Sequence, residues 1–184
     1  ALSMFFLAGV KLWRFALLFL AFALIVAGVA IMAPYRLMRL TTFLHPWLHP
    51  FGGSYQLVQS LIAFGRGGLW GVGLGNSLQK LFYLPEANTD FLFAVLVEEL
   101  GLFVGLAVIA LFAIFMMRGL LIARRAQQQE SYFAAFLSYG IALSIGLQAV
   151  INIGVNLGLL PTKGLTLPLM SYGGSSLLMN AIAV

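Results

Sequence analysis

The chain has 184 residues, of which 62% are hydrophobic and 8% charged, with a mean hydropathy of +1.03. A soluble domain carries about a quarter charged residues, so this composition excludes one and makes the bilayer the solvent. The net charge is +5, but the basic side chains sit at the ends of apolar runs rather than in a nucleic-acid-binding patch, and the absence of cysteine excludes disulfides and thiolate metal sites.

Residues 1–9 read as the end of an earlier span; no basic region precedes them, so they are not a signal peptide. After Lys11 and Arg14, the run from Phe15 to about Ala33 carries no charge and is long enough to cross a bilayer, so residues 12–33 read as a span. Pro34 closes it, with Tyr35, Arg36 and Arg39 as interfacial anchors. Residues 34–90 then form a large loop. Within it, His45 and His49 are each followed by proline, which suits a turn rather than a metal-binding helix.

The stretch YQLVQSLIAF places Tyr55, Val58, Leu61 and Ile62 on one helical face and Gln56, Gln59 and Ser60 on the other. That pattern predicts a helix at the membrane surface or packed on the bundle. GRGGLWGVGLGNS follows, with Trp70 as an interface anchor. Its G-x-G-x-G spacing, with no strand before it, predicts a tight re-entrant turn rather than a dinucleotide loop.

A second span is predicted over 91–117, a basic link over 118–131, a third span over 132–156, a short loop over 157–167 and a further span over 168–184. The chain ends inside an apolar run, and both ends are expected to continue in a longer protein. Lys11 and Arg14 lie two crossings from Arg118, Arg124 and Arg125, so both basic sites share one side. The positive-inside rule makes that side cytoplasmic and leaves 34–90 and 157–167 outside. The fold class is therefore an all-α polytopic membrane protein: a helical bundle of about four spans with a large outer loop.

Four of the five acids, Glu86, Asp90, Glu98 and Glu99, cluster at the end of that loop, and Asp90 is the chain's single aspartate. If Asp90 opens the second span, Asp90, Ala94, Glu98, Gly101 and Gly105 share one stripe. Gly101 and Gly105 then form a G-x-x-x-G seam, so the stripe faces protein or a cavity, with Glu99 opposite. Asp90 has two readings. It is a helix N-cap, since ANTD supplies three capping residues in a row, or it is a general base whose partial burial raises its pKa.

Lys163, flanked by Pro161, Gly164 and Pro168, is the only charge after Glu130. It reads as a snorkelling lysine, or as a cation on the same face as Asp90, suited to a phosphate-bearing lipid. Asn152 and Asn156 are four apart and read as packing groups or as partners in interhelical hydrogen bonds, and Tyr172, Ser175 and Ser176 read the same way near the outer boundary.

The segments GGSYQLVQSLIAFGRGGLWGVGLGNSLQKLFYLPEANTDFLFAVLVEELG and NIGVNLGLLPTKGLTLPLMSYGGSSLL resemble the SEDS (shape, elongation, division and sporulation) family over essentially the whole chain. PTKGLTLPLMSYGGSS and GLGNSLQK place it nearer the cell-division branch than the cell-elongation branch. The resemblance implies the later half of a larger bundle that polymerises lipid II, the undecaprenyl-pyrophosphate-linked disaccharide-pentapeptide, as a peptidoglycan glycosyltransferase. It implies that Asp90, in the PE-x-x-TDF motif, is the catalytic base on the acceptor GlcNAc 4-hydroxyl, with inversion and undecaprenyl pyrophosphate leaving.

Lys163 is the first candidate to hold that diphosphate, then Arg66 and Lys80; Glu86, Glu98, Gln56, Tyr172 and Ser175 are further candidates for lipid II binding. Related proteins often carry glutamate where this chain has Phe82. No organic cofactor is implied, while a divalent cation, magnesium or manganese, suits the pyrophosphate. The implied partners are a class B penicillin-binding protein (an FtsI-type transpeptidase), for which the glycine seam is one docking surface, and the divisome proteins FtsQ, FtsL, FtsB and FtsN. The implied site is the bacterial cytoplasmic (inner) membrane at the division septum, with chemistry on the extracytoplasmic face. A lipid II flippase and a non-catalytic divisome scaffold are the competing readings.

Overall fold

The computed structural model describes residues 12–31, 46–48 and 54–183, and all its regular elements are helical. These are α1 (Leu12–Ile31), α2 (Tyr55–Gly67), α3 (Leu92–Leu100), α4 (Leu102–Gln128), α5 (Tyr132–Asn156) and α6 (Gly174–Ala183), with short helical turns at Pro46–Leu48 and Gln79–Tyr83. The expectations for residues 1–9, the anchors Tyr35, Arg36 and Arg39, and both histidines lie outside the described residues.

Helices α4 and α5 are long and apolar enough to cross a membrane. They pack side by side as a hairpin because small residues let their backbones approach. A Cβ on Gly119 would stand 2.6 Å from the Ala142 methyl, and one on Gly146 would stand 2.6 Å from Met116 Sδ. Helix α5 covers the predicted third span residue for residue. The chain is a polytopic helical membrane protein.

The second span is not one helix. It breaks at Gly101, whose φ of 87° only glycine adopts readily, so α3 ends at Leu100 and α4 begins at Leu102. α3 folds back on α4: a Cβ on Gly105 would lie 2.7 Å from Val97 Cγ2 and 3.6 Å from Phe93. Gly101 instead abuts the backbone of Leu69–Gly71. The two glycines therefore face different parts of the chain's own fold, and the continuous seam expected as a docking surface does not form.

The link predicted over 118–131 is mostly helix. Leu, Ala, Arg and Gln are strong helix formers, and α4 runs through Arg118, Arg124 and Arg125 to Gln128, leaving 129–131 as the turn. The last helix begins at Gly174 rather than residue 168, because residues 168–172, opened by Pro168, form a turn and bend.

α2 also turns a different face inward. Leu57, Val58, Ser60, Ala63 and Gly67 are buried, while Ile62 is 38% exposed. Closeness rather than hydrophobicity selects this face. A Cβ on Gly67 would collide with the backbone of Val97 and Glu98, and the Ser60 hydroxyl donates to the Asn156 carbonyl at 2.8 Å. The core joins Phe93, Val97 and Leu167 to Val108, Ala149 and Ile153, so α3 and the 157–173 loop are pinned against the hairpin.

Candidate active site

The site is built around a one-turn knot. Glu86 has a φ of 59°, and its carbonyl accepts from the amides of Thr89, Asp90 and Phe91 at 3.2, 3.1 and 3.3 Å. The Thr89 hydroxyl closes the knot on the Glu86 carboxylate at 2.7 Å. The turn hands the chain into α3 through Phe91, which takes the N-cap position with no side-chain cap. The amide of Ala94 donates to the Phe91 carbonyl at 3.1 Å and is also capped from another helix, by Asn156 Oδ1 at 3.2 Å. Asp90 is therefore not the cap of α3.

The backbone of Asp90 is held instead. Its carbonyl accepts from Asn152 Nδ2 at 2.9 Å and from Asn156 Nδ2 at 3.0 Å. Asn152 also donates to the Leu165 carbonyl, and Gln148 donates to the Thr166 carbonyl at 3.0 Å. Gln148, Asn152 and Asn156 are successive fours along α5, so they form one polar stripe on an apolar helix. That stripe fixes the Asp90 turn and the 157–173 loop in a common register.

A third stitch joins the loops directly, from the Tyr172 amide to the Asn88 carbonyl at 3.0 Å. Gly164 lies so close to Asp90 that a Cβ there would stand 3.2 Å from Oδ2. Burial pushes the half-buried Asp90 carboxyl above its ordinary value of 3.8, and the nearby Glu86 carboxylate adds to the rise.

The structure thus brings Asp90, Glu86, the Lys163–Gly164 turn and the Tyr172 backbone together. Lys163 is exposed, as are Glu86, Lys80, Tyr172 and Ser175, while Gln56 is half-buried. Two predicted substrate contacts are engaged within the fold. Arg66 pairs with Glu98 at 3.3 Å, and Glu98, fully buried, also accepts from the Ser77 hydroxyl. This pair sits two turns along α3 from Asp90 and ties that helix to α2 and the glycine-rich turn.

From the sequence, Asn152 and Asn156 read as packing groups or interhelical hydrogen-bond partners, while Gln148 and Gly164 have no assigned role. The available signal was the spacing of three amides four apart on an apolar helix. Among the described residues no group of three or more histidine, aspartate or glutamate side chains converges on a metal ion.

A family model described as cell cycle protein, covering FtsW, RodA and SpoVE, matches residues 1–184. The chain is 62% identical over 183 residues to the probable peptidoglycan glycosyltransferase FtsW of Coxiella burnetii, with 100% of this chain and 49% of that protein covered. It is 60% identical over 183 residues to the protein of the same description from Nitrosococcus halophilus, covering 100% of this chain and 47% of that one. Its structure is similar to a chain from a peptidoglycan synthase complex solved to describe the coordination of polymerization and crosslinking. The TM-score is 0.69 at 27% identity, over 98% of this chain and 48% of that one. The chain spans about half the length of the curated relatives it matches. With a family match over its whole length and close relatives within one branch, the chain belongs to the cell cycle protein family of FtsW, RodA and SpoVE, the SEDS proteins.

Proposed function

We propose that this chain carries the catalytic base of a peptidoglycan glycosyltransferase that polymerises lipid II on the outer face of the bacterial cytoplasmic membrane during cell division. The observation that carries the reading is the Asp90 turn. Its backbone is fixed by two asparagines, while its carboxyl is half-buried, raised in pKa and set close beside Gly164.

A fixed carboxylate of raised pKa is the better proton acceptor, and its placement removes the entropy of finding the hydroxyl. Asp90 takes the proton of the acceptor GlcNAc 4-hydroxyl as that oxygen attacks the donor MurNAc anomeric carbon. The bond to undecaprenyl pyrophosphate breaks, the configuration inverts, and the proton stays on Asp90 until solvent removes it. Lys163, exposed on the turn that carries Gly164, supplies positive charge to the leaving diphosphate. Arg66 is the weaker candidate for that role because Glu98 already holds it. That the structural neighbour belongs to a complex coordinating polymerization and crosslinking supports a class B penicillin-binding protein as partner, with FtsQ, FtsL, FtsB and FtsN proposed as its regulators at the septum.

The test is glycan synthesis from labelled lipid II by the full-length protein with its transpeptidase partner. Wild type forms polymer and Asp90→Ala does not; normal polymer from Asp90→Ala would end the assignment. Lipid II transfer across vesicles without polymer would favour a flippase.

A further inference from the structure

Helix α4 shows where one membrane surface lies. Arg118 marks one end of its uncharged stretch, and the rise from Leu102 to Arg118 is about 24 Å. A hydrocarbon core is about 30 Å thick, so the first turn of α4 sits at the edge of the opposite leaflet. On that turn Phe103 is 54% exposed and packs against Trp70, with ring centroids 5.3 Å apart. Trp70 is itself 82% exposed and Leu74 is 75% exposed. Together they continue the outward apolar stripe of Phe103, Leu106, Ile114 and Met117 beyond the helix.

This apolar tip is held rigidly. The amides of Val72 and Gly73 donate to the carbonyls of Glu98 and Glu99 at 3.0 Å, and the Leu102 amide donates to the Gly68 carbonyl at 3.0 Å. Gly71 and Gly101, both in the left-handed region at 81° and 87°, lock backbone against backbone across the α3–α4 break. Paired backbone groups are what a segment needs before it can enter a medium without water. A tryptophan beside the first turn of a spanning helix is the residue type of the headgroup layer.

We propose that residues 69–74 form a wedge seated in the leaflet opposite Arg118, Arg124 and Arg125, with Trp70 at headgroup level and a lipid surface as its partner. The wedge follows from geometry and hydropathy and does not depend on the glycosyltransferase reading. Because it is bonded to the last turn of α3, membrane contact at Trp70 also fixes the helix that Asp90 precedes.

The experiment places a nitroxide at position 70 (Trp70→Cys) or position 74 (Leu74→Cys) of the full-length protein, with any other cysteines replaced. The protein is reconstituted into phosphatidylethanolamine–phosphatidylglycerol vesicles, with a label at Gln128→Cys as the aqueous reference. Collisions with dissolved oxygen and with a water-soluble nickel chelate are then compared. A lipid-seated wedge gives oxygen-dominated collisions at 70 and 74 and nickel-dominated collisions at 128. Nickel-dominated collisions at both wedge positions would place the wedge in water and overturn the proposal. Low collision rates with both reagents would show protein covering it, and would overturn it equally. Two label positions keep the outcome readable if one variant fails to fold.

Discussion

Asn156 donates its side-chain amide to the carbonyl of Asp90 at 3.0 Å and, through Oδ1, accepts from the amide of Ala94 at 3.2 Å. One buried asparagine therefore bonds the chain on both sides of the start of α3. It performs the capping that Asp90 does not, and leaves the aspartate side chain free to meet a substrate.

Asn156→Ala removes these bonds together, leaving the Asp90 carbonyl to Asn152 and the Ala94 amide to the Phe91 carbonyl. The variant should unfold about 2–3 kcal/mol more easily, and its polymerisation should fall even where the protein remains folded. Chemical unfolding in detergent, paired with the lipid II assay, checks both. Wild-type activity in a folded Asn156→Ala protein would remove the asparagine from any role in placing Asp90.

Gly164 and Gly101 should respond in opposite ways to the same methyl group. At Gly164 the new Cβ meets only Asp90 Oδ2, at 3.2 Å, and no left-handed φ is involved. Gly164→Ala should keep its melting temperature while losing polymerisation, because the methyl occupies the approach to the base. At Gly101 the methyl meets the Leu69–Gly71 backbone in a conformation at 87°. Gly101→Ala should lose about 2 kcal/mol or more of stability. A melting series across the two variants separates them.

Burial and Glu86 raise the pKa of Asp90 above 3.8 in the folded protein. The unfolded chain releases this proton first as pH rises, so between 3.8 and the raised value the native state binds more protons. Stability contributed at Asp90 therefore falls with pH through that window and stays lower above it. Activity runs the other way, since the base works only when ionised. The acid limb of polymerisation should lie above pH 3.8, and Glu86→Gln should move it down. An unmoved limb in Glu86→Gln would show that another group sets it.

The Arg66–Glu98 pair predicts a non-additive cycle. Arg66→Ala leaves the fully buried Glu98 carboxylate with Ser77 alone, whereas Glu98→Gln removes the charge that needs a partner. Adding Glu98→Gln to Arg66→Ala should restore part of the melting temperature that Arg66→Ala loses. Additive losses would show that the pair contributes only through separate contacts.

Apolar length and charge placement made much of the fold legible. The start of α5 at Tyr132 was legible because Ser131 and the polar Gln127–Glu130 run bound it. The break at Gly101 was hidden because leucine flanks it on both sides. Only its contact with Leu69–Gly71, distant in sequence, requires a left-handed residue there. The buried face of α2 was misread for a related reason: backbone approach at Gly67 and Ser60 outweighs the greater hydrophobicity of Ile62. At the site, the aspartate stood out by its rarity. The asparagines showed only as a four-residue spacing on an apolar helix, because the main-chain carbonyls that they bond are distant in sequence.

The central claim is that Asp90 carries the proton. Its most direct test is the lipid II polymerisation rate of Asp90→Asn, in protein whose folding and lipid II binding match wild type. The amide is isosteric and cannot accept the proton, so the rate should fall by about 10²–10⁴-fold with binding unchanged. A rate within a few-fold of wild type would contradict the account.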